Sequence, residues 1–188
     1  MKRYLIAFFL FTTSAVQSVE IEQSNHLDVK VSRNGPVFQV NVSYQVALDA
    51  CNAFAFITDY ENAKNIAGIK ESKIISRNGN KILVDRVIED RILGFPLDLR
   101  TVEEFTEVSK QKLVFEQVRG DAKFYRGSWI LIPLERATKF IYESQFELDT
   151  FIPNSVINYF IKNTSQMRFE QMVQQAKNVE THPYLTCQ

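Results

Sequence analysis

The sequence is poor in the residues that build metal centres and charged interfaces. It has two cysteines and two histidines among 188 residues, far apart along the chain, which excludes a Cys/His metal cluster and a framework of several disulfides. The 22 basic residues are balanced by 22 acidic ones, so the chain lacks the positive charge that a nucleic-acid-binding surface needs. We therefore expect no metal, no cofactor and no nucleic-acid partner.

Sequence signatures of common catalytic sites are also missing. The chain has no Gly-x-Ser-x-Gly nucleophile elbow and no glycine-rich loop for phosphate. His26 and His182 lie outside the predicted domain, and Cys51 has no histidine near it in sequence to activate it. We assign no catalytic residue from these patterns.

Aromatic residues, by contrast, are abundant. Fifteen Phe and seven Tyr accompany a single Trp. The chain is 45% hydrophobic and 23% charged, which is typical of a folded globular domain and excludes a wholly disordered or collagen-like protein. Its length fits one domain with a substantial core. We infer that aromatic side chains form a functional surface in this fold.

The first 18 residues have the features of a secretory signal peptide. Lys2 and Arg3 precede a short apolar run, residues 4–11, and small residues follow as far as Ser18. The run is far shorter than the roughly 20 residues needed to cross a bilayer. We expect cleavage after Ser18 and export to the periplasm or the exterior. A membrane anchor and a buried helix are the alternatives.

Export would place the two cysteines in an oxidising compartment. Cys51 lies near the start of a predicted helix, and Cys187 is the penultimate residue. A disulfide between them would staple the tail to the body of the protein and close a long loop. The alternative is a buried Cys51 and a free thiol in a frayed tail.

Hydrophobic periodicity predicts an α+β fold with six or seven antiparallel strands. The alternating residues 38–46 indicate a first strand, followed by two short helical segments that begin near Asp49 and Glu61. The remaining predicted strands span residues 70–77, 81–92, 97–107, 111–119, 123–134 and 138–148, and a long helix spans about 154–178. Residues 19–35 are expected to form a polar arm, 36–178 one domain and 179–188 a tail.

The long helix needs a sheet on which to lie. Its predicted apolar face contains Val156, Ile157, Phe160, Ile161, Thr164 and Met167. A strongly curved antiparallel sheet that wraps around this helix would cover the face and leave a hollow between the two.

Several local motifs occur in a familiar order along this pattern. They are the phenylalanine-rich residues 53–60, which end in Asp59-Tyr60; residues 127–133, with the pattern Gly-x-Trp-x-Leu-x-Pro; Thr138 and Tyr142; and Ile152-Pro153 with Val156, Ile157 and Asn158. In these motifs and in its element order, the chain resembles the StAR-related lipid-transfer-like superfamily, also called START-like, SRPBCC or helix-grip. It is most similar to the polyketide-cyclase and coenzyme-Q-binding-protein group, over about residues 36–178.

The resemblance implies a ligand-binding cavity between the sheet and the C-terminal helix. Most members bind an apolar molecule there, and a minority are cyclases, dehydratases or hydrolases. Strand alternation and helix periodicity then place eight residues in the lining of this cavity. They are Tyr44, Leu99, Phe115, Trp129, Phe140, Tyr142, Phe160 and Thr164. Aromatic walls with a few hydroxyls fit a hydrophobic small molecule of the lipid, quinone or aromatic polyketide class. Transient membrane contact is a further expectation, and the oligomeric state is open.

Trp129 is expected to face this hollow, opposite Phe160 and Thr164. It follows Gly127 by two residues, and the missing side chain of that glycine leaves room for a neighbour or a ligand. The alternative is that Trp129 packs on the convex face of the sheet.

Two other functions stay open. An enzyme of the aromatase/cyclase or dehydratase type would use inward-facing carboxylates, with Asp85, Asp90 and Glu103 as candidates, paired with Arg86 or Arg100. Charged residues of such strands are more often solvated, so we expect these carboxylates on the outer face. The other function is a cell-envelope interaction module that needs no ligand.

Overall fold

The structure is a computed structural model of the chain, and it describes residues 26–92, 95–148 and 152–187. The predicted signal peptide, residues 1–18, lies outside the described residues. The strands are β1 (Asp28–Asn34), β2 (Val37–Val46), β3 (Ile69–Asn78), β4 (Lys81–Ile92), β5 (Phe95–Ser109), β6 (Lys112–Gly120), β7 (Ala122–Pro133) and β8 (Thr138–Leu148). The helices are α1 (Ala50–Ile57) and α2 (Asn154–Thr181), with 3-10 turns at Asn62–Asn65 and Leu185–Cys187.

The eight strands form one curved antiparallel sheet with the order β1-β2-β8-β7-β6-β5-β4-β3. Tight turns connect β1 to β2 and β3 to β4. Their glycines, Gly35 and Gly79, have φ values of 60° and 59°, which other residue types rarely adopt. Residues of α2 pack against residues of several strands on one face of this sheet, which confirms the predicted helix-grip fold.

The strand count is higher than the predicted six or seven because β1 is an additional strand. It lies in the segment predicted as a polar arm and pairs with β2 along its whole length. Only one face of this edge strand contacts the core, through Val29 and Val31, and most of its side chains are half-exposed or exposed. Its hydrophobic alternation was therefore too weak to predict a strand.

The long helix α2 lies across the concave face of the sheet. Its buried positions are Ile157, Phe169, Val173 and Ala176. Met167, predicted on the apolar face, is 47% exposed, so that prediction was wrong. Beyond Thr164, the buried face of the helix continues through Phe169, Val173 and Ala176 instead. Among the described residues, neither helix combines the length and the hydropathy that a membrane-spanning helix requires.

An aromatic core fills the end of the sheet that lies beneath α1. Tyr44 of β2 stacks on Phe140 of β8, with ring centroids 4.8 Å apart. Phe56 of α1 contacts Phe140 edge-on, and Phe169 of α2 covers Tyr44. The side chain of Asp49 caps α1 by accepting a hydrogen bond from the Asn52 backbone at 3.0 Å. This packing leaves the middle of the concave face open beneath α2.

Candidate functional site

A cavity of about 620 Å³ lies between the concave face of the sheet and α2 and is partly open to solvent. Its walls are largely apolar. The sheet contributes Val40, Ile88, Leu99, Phe115, Trp129 and Tyr142, and α2 contributes Ile157, Phe160, Ile161, Thr164, Phe169 and Met172.

Six of the eight predicted lining residues lie at this cavity: Leu99, Phe115, Trp129, Tyr142, Phe160 and Thr164. The other two, Tyr44 and Phe140, lie in the core and are 1% and 0% exposed. They point to the correct face of the sheet, but Phe56 and Phe169 cover them. Strand alternation gives the face, whereas the packing of α1 and α2 decides which part of that face stays open.

Aromatic rings from three adjacent strands form the floor of the cavity. Trp129 and Tyr142 are cross-strand partners with ring centroids 4.8 Å apart, and the Phe115 ring lies 5.9 Å from Tyr142. Trp129 also contacts Phe169 at 5.9 Å. The tryptophan therefore faces the hollow, and its nearest helix ring is Phe169.

Gly127 makes room for a neighbour in this floor. It is the cross-strand partner of Phe115, and a Cβ atom at this position would clash with the Phe115 ring and with the carbonyl oxygen of Glu143. The missing side chain thus lets Phe115 lie flat across β7.

Two tyrosines place hydroxyl groups on the same wall. The hydroxyl oxygens of Tyr125 and Tyr142 are 2.8 Å apart and share a hydrogen bond. Burial is the main reason why the pKa of each tyrosine is raised, so both hydroxyls stay protonated at neutral pH. The pair provides neutral hydrogen-bonding groups within an otherwise apolar part of the cavity wall.

Glu103 points into the cavity, and the expectation that it lies on the outer face was wrong. Its side chain is 1% exposed, and its Oε2 lies 3.2 Å from Nη1 of Arg86. The arginine also donates from Nε to the Ser72 hydroxyl at 3.1 Å, and its guanidinium lies 4.9 Å from the centre of the Phe105 ring. Alternation along β5 could have given this orientation, because Glu103 is two residues from the inward-facing Phe105.

The electrostatic setting of Glu103 is unusual for a carboxyl group. Burial raises its pKa, and the positive charge of Arg86 opposes this increase. Within the described part of the chain its Oε1 has no hydrogen-bond partner, although buried polar atoms normally have one.

The other candidate carboxylates are not brought to this position. Asp85 faces outward and forms a two-point ion pair with Arg100, at 2.6 Å and 3.0 Å. Its side chain is 20% exposed and that of Arg100 is 67% exposed. The side chain of Asp90 lies outside what the structure describes.

The C-terminal tail closes the end of the cavity next to α1. A disulfide joins Cys51 to Cys187, with Cα atoms 5.7 Å apart. Tyr184 of the tail lines the cavity, and its backbone N–H donates to Oδ1 of Asn52 at 2.9 Å. Sequence reasoning missed Tyr184 as a lining residue, although the possible Cys51–Cys187 disulfide, which places the tail against α1, was a signal that could have found it.

Three polar side chains of α2 hold the loop that forms one side of the cavity. Arg168 Nε donates to the carbonyl of Ala67 at 3.1 Å, and Gln171 accepts from the Ala67 N–H at 2.7 Å. Gln175 donates to the carbonyl of Asn65 at 2.7 Å. These bonds fix the distance between α2 and the start of β3.

Comparison with known proteins identifies relatives of this arrangement. A family model described as "Polyketide cyclase / dehydrase and lipid transport" matches residues 46–173, more than half of the chain. No curated protein matches the sequence significantly.

Solved structures share the fold at low sequence identity. A protein from Thermus thermophilus matches with a TM-score of 0.66 and 17% identity, over 78% of this chain and 99% of its own. A STAR-related lipid transfer protein fragment from Xanthomonas axonopodis has a TM-score of 0.64 and 11% identity, over 79% and 98%. An aromatase/cyclase from a Streptomyces strain has a TM-score of 0.61 and 11% identity, over 76% and 95%. At these identities the similarity describes the fold alone.

Proposed function

The chain belongs to the polyketide cyclase/dehydrase and lipid transport family, and on this basis we propose that it binds and carries a hydrophobic small molecule in the cavity beneath α2. The observation that supports this most is the cavity itself, whose volume of about 620 Å³ and aromatic walls are typical of sites for small apolar ligands. The molecule would lie between the floor rings Trp129 and Tyr142 and the α2 residues Phe160 and Thr164.

A space of this size is not expected in a well-packed core. Protein interiors have few voids larger than a water molecule, and side chains around an empty void lose attractive contacts. Here α2 is anchored to the loop at Ala67 by hydrogen bonds and to α1 through the disulfide-linked tail, and the cavity lies beneath it. A bound apolar molecule would restore the missing contacts, which favours ligand binding over a structural role alone.

We also propose that the protein is exported. Two features support this: the short apolar run of residues 4–11 after Lys2 and Arg3, and the Cys51–Cys187 disulfide, a bond that persists in oxidising compartments. Mass spectrometry of the protein from cell fractions of its own host tests this. A mature chain that begins after Ser18 in the exported fraction is expected, and an intact leader in the cytosolic fraction would contradict it.

Native mass spectrometry of the protein purified from its own host tests ligand binding. We expect a co-purifying apolar compound in a one-to-one complex. In the variant Ala122→Phe, a ring enters the cavity from the start of β7, and the bound compound should be lost. The matched control Val118→Phe adds the same ring at an exposed position and should retain it. Equal loading of both variants would contradict the cavity as the binding site.

A second candidate function is catalysis of the cyclase or dehydratase type. The observation that favours it is the buried Glu103 on the same wall as the Tyr125–Tyr142 pair, since a carboxyl group with a raised pKa can act as an acid or a base. Incubation with an aromatic polyketone should then give a product that has lost water. Glu103→Gln should abolish this reaction and Asp85→Asn should not. No product with the unaltered protein would contradict this function.

A further inference from the structure

The C-terminal tail carries a cavity-lining residue that a covalent bond keeps in place. The tail comprises residues 182–187, which follow α2. Tyr184 lies in the cavity wall, and Cys187, three residues further along the chain, is joined to Cys51 of α1. Closure of the cavity at the α1 end therefore depends on a segment whose far end is chemically linked to the domain.

Two hydrogen bonds of Tyr184 also hold the tail. The backbone N–H donates to Oδ1 of Asn52 at 2.9 Å, and the hydroxyl donates to Oδ2 of Asp59 at 3.1 Å. Each such bond contributes little net free energy because water competes for the same groups, whereas ordering a chain terminus costs conformational entropy at every residue. Tyr184 itself is only half-buried. We therefore expect the tail to leave its site when the covalent bond is broken.

The buried core of the domain lies outside the tail. Among the described residues, the core cluster extends along α2 to Ala176, with Val179 packed against it, and contains none of residues 182–187. The helix is also bonded to the loop before β3, through the hydrogen bond from Arg168 to the Ala67 carbonyl. Release of the tail should thus open one end of the cavity while the domain stays folded.

The disulfide is accessible to a thiol in solution. Cys51 is exposed, and Cys187 is half-buried near the end of the chain. Thiol–disulfide exchange requires an external thiolate to reach one of the two sulfur atoms, and exposed disulfides are more often labile or regulatory than buried ones. The position of this bond therefore suits reduction of the folded protein.

We propose that the Cys51–Cys187 disulfide is a redox switch that keeps the ligand in the cavity, and that its reduction by a dithiol frees the tail and releases the ligand. The inference rests on the proposed function and names the regulation of that same site. In the oxidised protein the Tyr184 ring covers the α1 end of the cavity. In the reduced protein this end is open, so ligand entry and exit are both faster.

Reduction proceeds in two exchange steps. The thiolate of the dithiol attacks Sγ of Cys51, which gives a mixed disulfide and releases Cys187 as a thiolate that takes up a proton. The second thiol of the reductant then attacks its own sulfur in the mixed disulfide and releases Cys51, which is protonated to the thiol. Two electrons and two protons pass to the protein, and the dithiol becomes a cyclic disulfide.

Retinol, a neutral apolar alcohol, is a probe for this switch because its binding can be followed by quenching of Trp129 on the cavity floor. Stopped-flow measurements compare the oxidised protein with protein reduced by dithiothreitol, a dithiol. We expect reduction to make dissociation about tenfold faster and association several-fold faster. Faster association distinguishes an opened cavity from a damaged fold, since partial unfolding leaves fewer molecules competent to bind. Reoxidation with oxidised glutathione should restore the slow rates.

Variants separate the bond from the ring that it positions. Cys51→Ser with Cys187→Ser should reproduce the rates of the reduced protein and should not respond to dithiothreitol. Addition of Tyr184→Ala to this double variant should accelerate release no further, because the ring has already left the cavity wall. Leu185→Ala keeps the bond and alters an exposed tail residue, so it should match the unaltered protein in both redox states.

The outcomes separate this inference from the proposed function. Equal retinol rates for the oxidised and reduced proteins would overturn the inference and leave the carrier function standing. Loss of the near-ultraviolet circular dichroism on reduction would also overturn it, since the bond would then maintain the fold rather than close the cavity. Absence of retinol binding in both redox states would contradict both.

Discussion

The hydroxyl of Tyr184 donates a hydrogen bond to Oδ2 of Asp59 at 3.1 Å and so holds the C-terminal tail against the segment that follows α1. Both residues line the cavity. The tail is further fixed by the Cys51–Cys187 disulfide three residues beyond. The C-terminal tail thus closes one end of the cavity, although it is distant in sequence from the strands that form the cavity floor.

Replacement of Tyr184 should speed the release of a bound ligand. In Tyr184→Ala the ring that closes the α1 end is removed, so retinol should dissociate several-fold faster in stopped-flow measurements of Trp129 fluorescence. Tyr184→Phe keeps the ring and should have a smaller effect. Leu185→Ala, at a position that is 86% exposed, is the control and should match the unaltered protein. Equal rates for all four proteins would mean that ligands leave by another route.

Removal of the disulfide should lower the stability of the whole domain. The bond joins residues 136 positions apart, and closing a loop of this length stabilises a folded chain by up to about 4–5 kcal/mol in the chain-entropy model. We expect Cys51→Ser with Cys187→Ser to reduce the free energy of unfolding in urea by a substantial part of this amount. Leu185→Ser alters the tail with the bond intact and should have little effect. An unchanged urea midpoint in the double variant would contradict the disulfide as a structural element.

Gly127→Ala should disturb the cavity floor without removing any contact. The new methyl group would collide with the Phe115 ring and with the backbone of β8, so Phe115 must move. Overpacking of this kind costs about 1–3 kcal/mol. The free energy of unfolding and retinol affinity should both fall, whereas Ser128→Ala, at the next position on the strand, should change neither much. Normal affinity in Gly127→Ala would show that the position of Phe115 does not matter for binding.

Tyr44→Phe should leave the protein as stable or make it about 1 kcal/mol more stable. Among the described residues, the buried Tyr44 hydroxyl has no hydrogen-bond partner, so its removal abolishes a desolvation cost. In contrast, the Tyr60 hydroxyl binds Glu107 at 3.2 Å, and Tyr60→Phe should be destabilising. Urea unfolding of the two variants checks this, and a large loss of stability in Tyr44→Phe would contradict it.

The same tyrosine should make the protein sensitive to alkali. Burial raises the pKa of Tyr44 in the folded state, whereas in the unfolded chain it ionises near pH 10. Above that pH the unfolded state binds fewer protons than the folded state, so stability falls as the pH rises. Tyr44→Phe should show a shallower decline in the free energy of unfolding between about pH 9 and pH 11.

The sheet and the long helix could be predicted well because their patterns are local. The alternation from Phe38 to Val46 corresponds to five buried side chains on one face of β2, and the turn predicted at Gly79 connects β3 to β4. Strand β1 was missed because an edge strand with one half-buried face lacks that alternation.

The candidate site was predicted only in part because its closure depends on distant contacts. Phe115, Trp129 and Tyr142 follow from strand periodicity and the family resemblance. The position of Tyr184 depends on a tail that returns to α1, and the sequence indicates this return only through the possible Cys51–Cys187 pairing. Glu103 was expected outside because charged residues usually lie in water, yet a cross-strand arginine on the same face compensates its charge.

Fluorescence of Trp129, the only tryptophan in the sequence, tests the central claim most directly. The indole is 7% exposed and lies on the cavity floor, so we predict a blue-shifted emission in the ligand-free protein. Titration with menadione, a neutral naphthoquinone, should quench this emission and saturate at one molecule per chain, and Ala122→Phe should prevent the quenching. Emission close to that of free tryptophan in water, unaffected by menadione and by retinol, would contradict a ligand-binding cavity beneath α2.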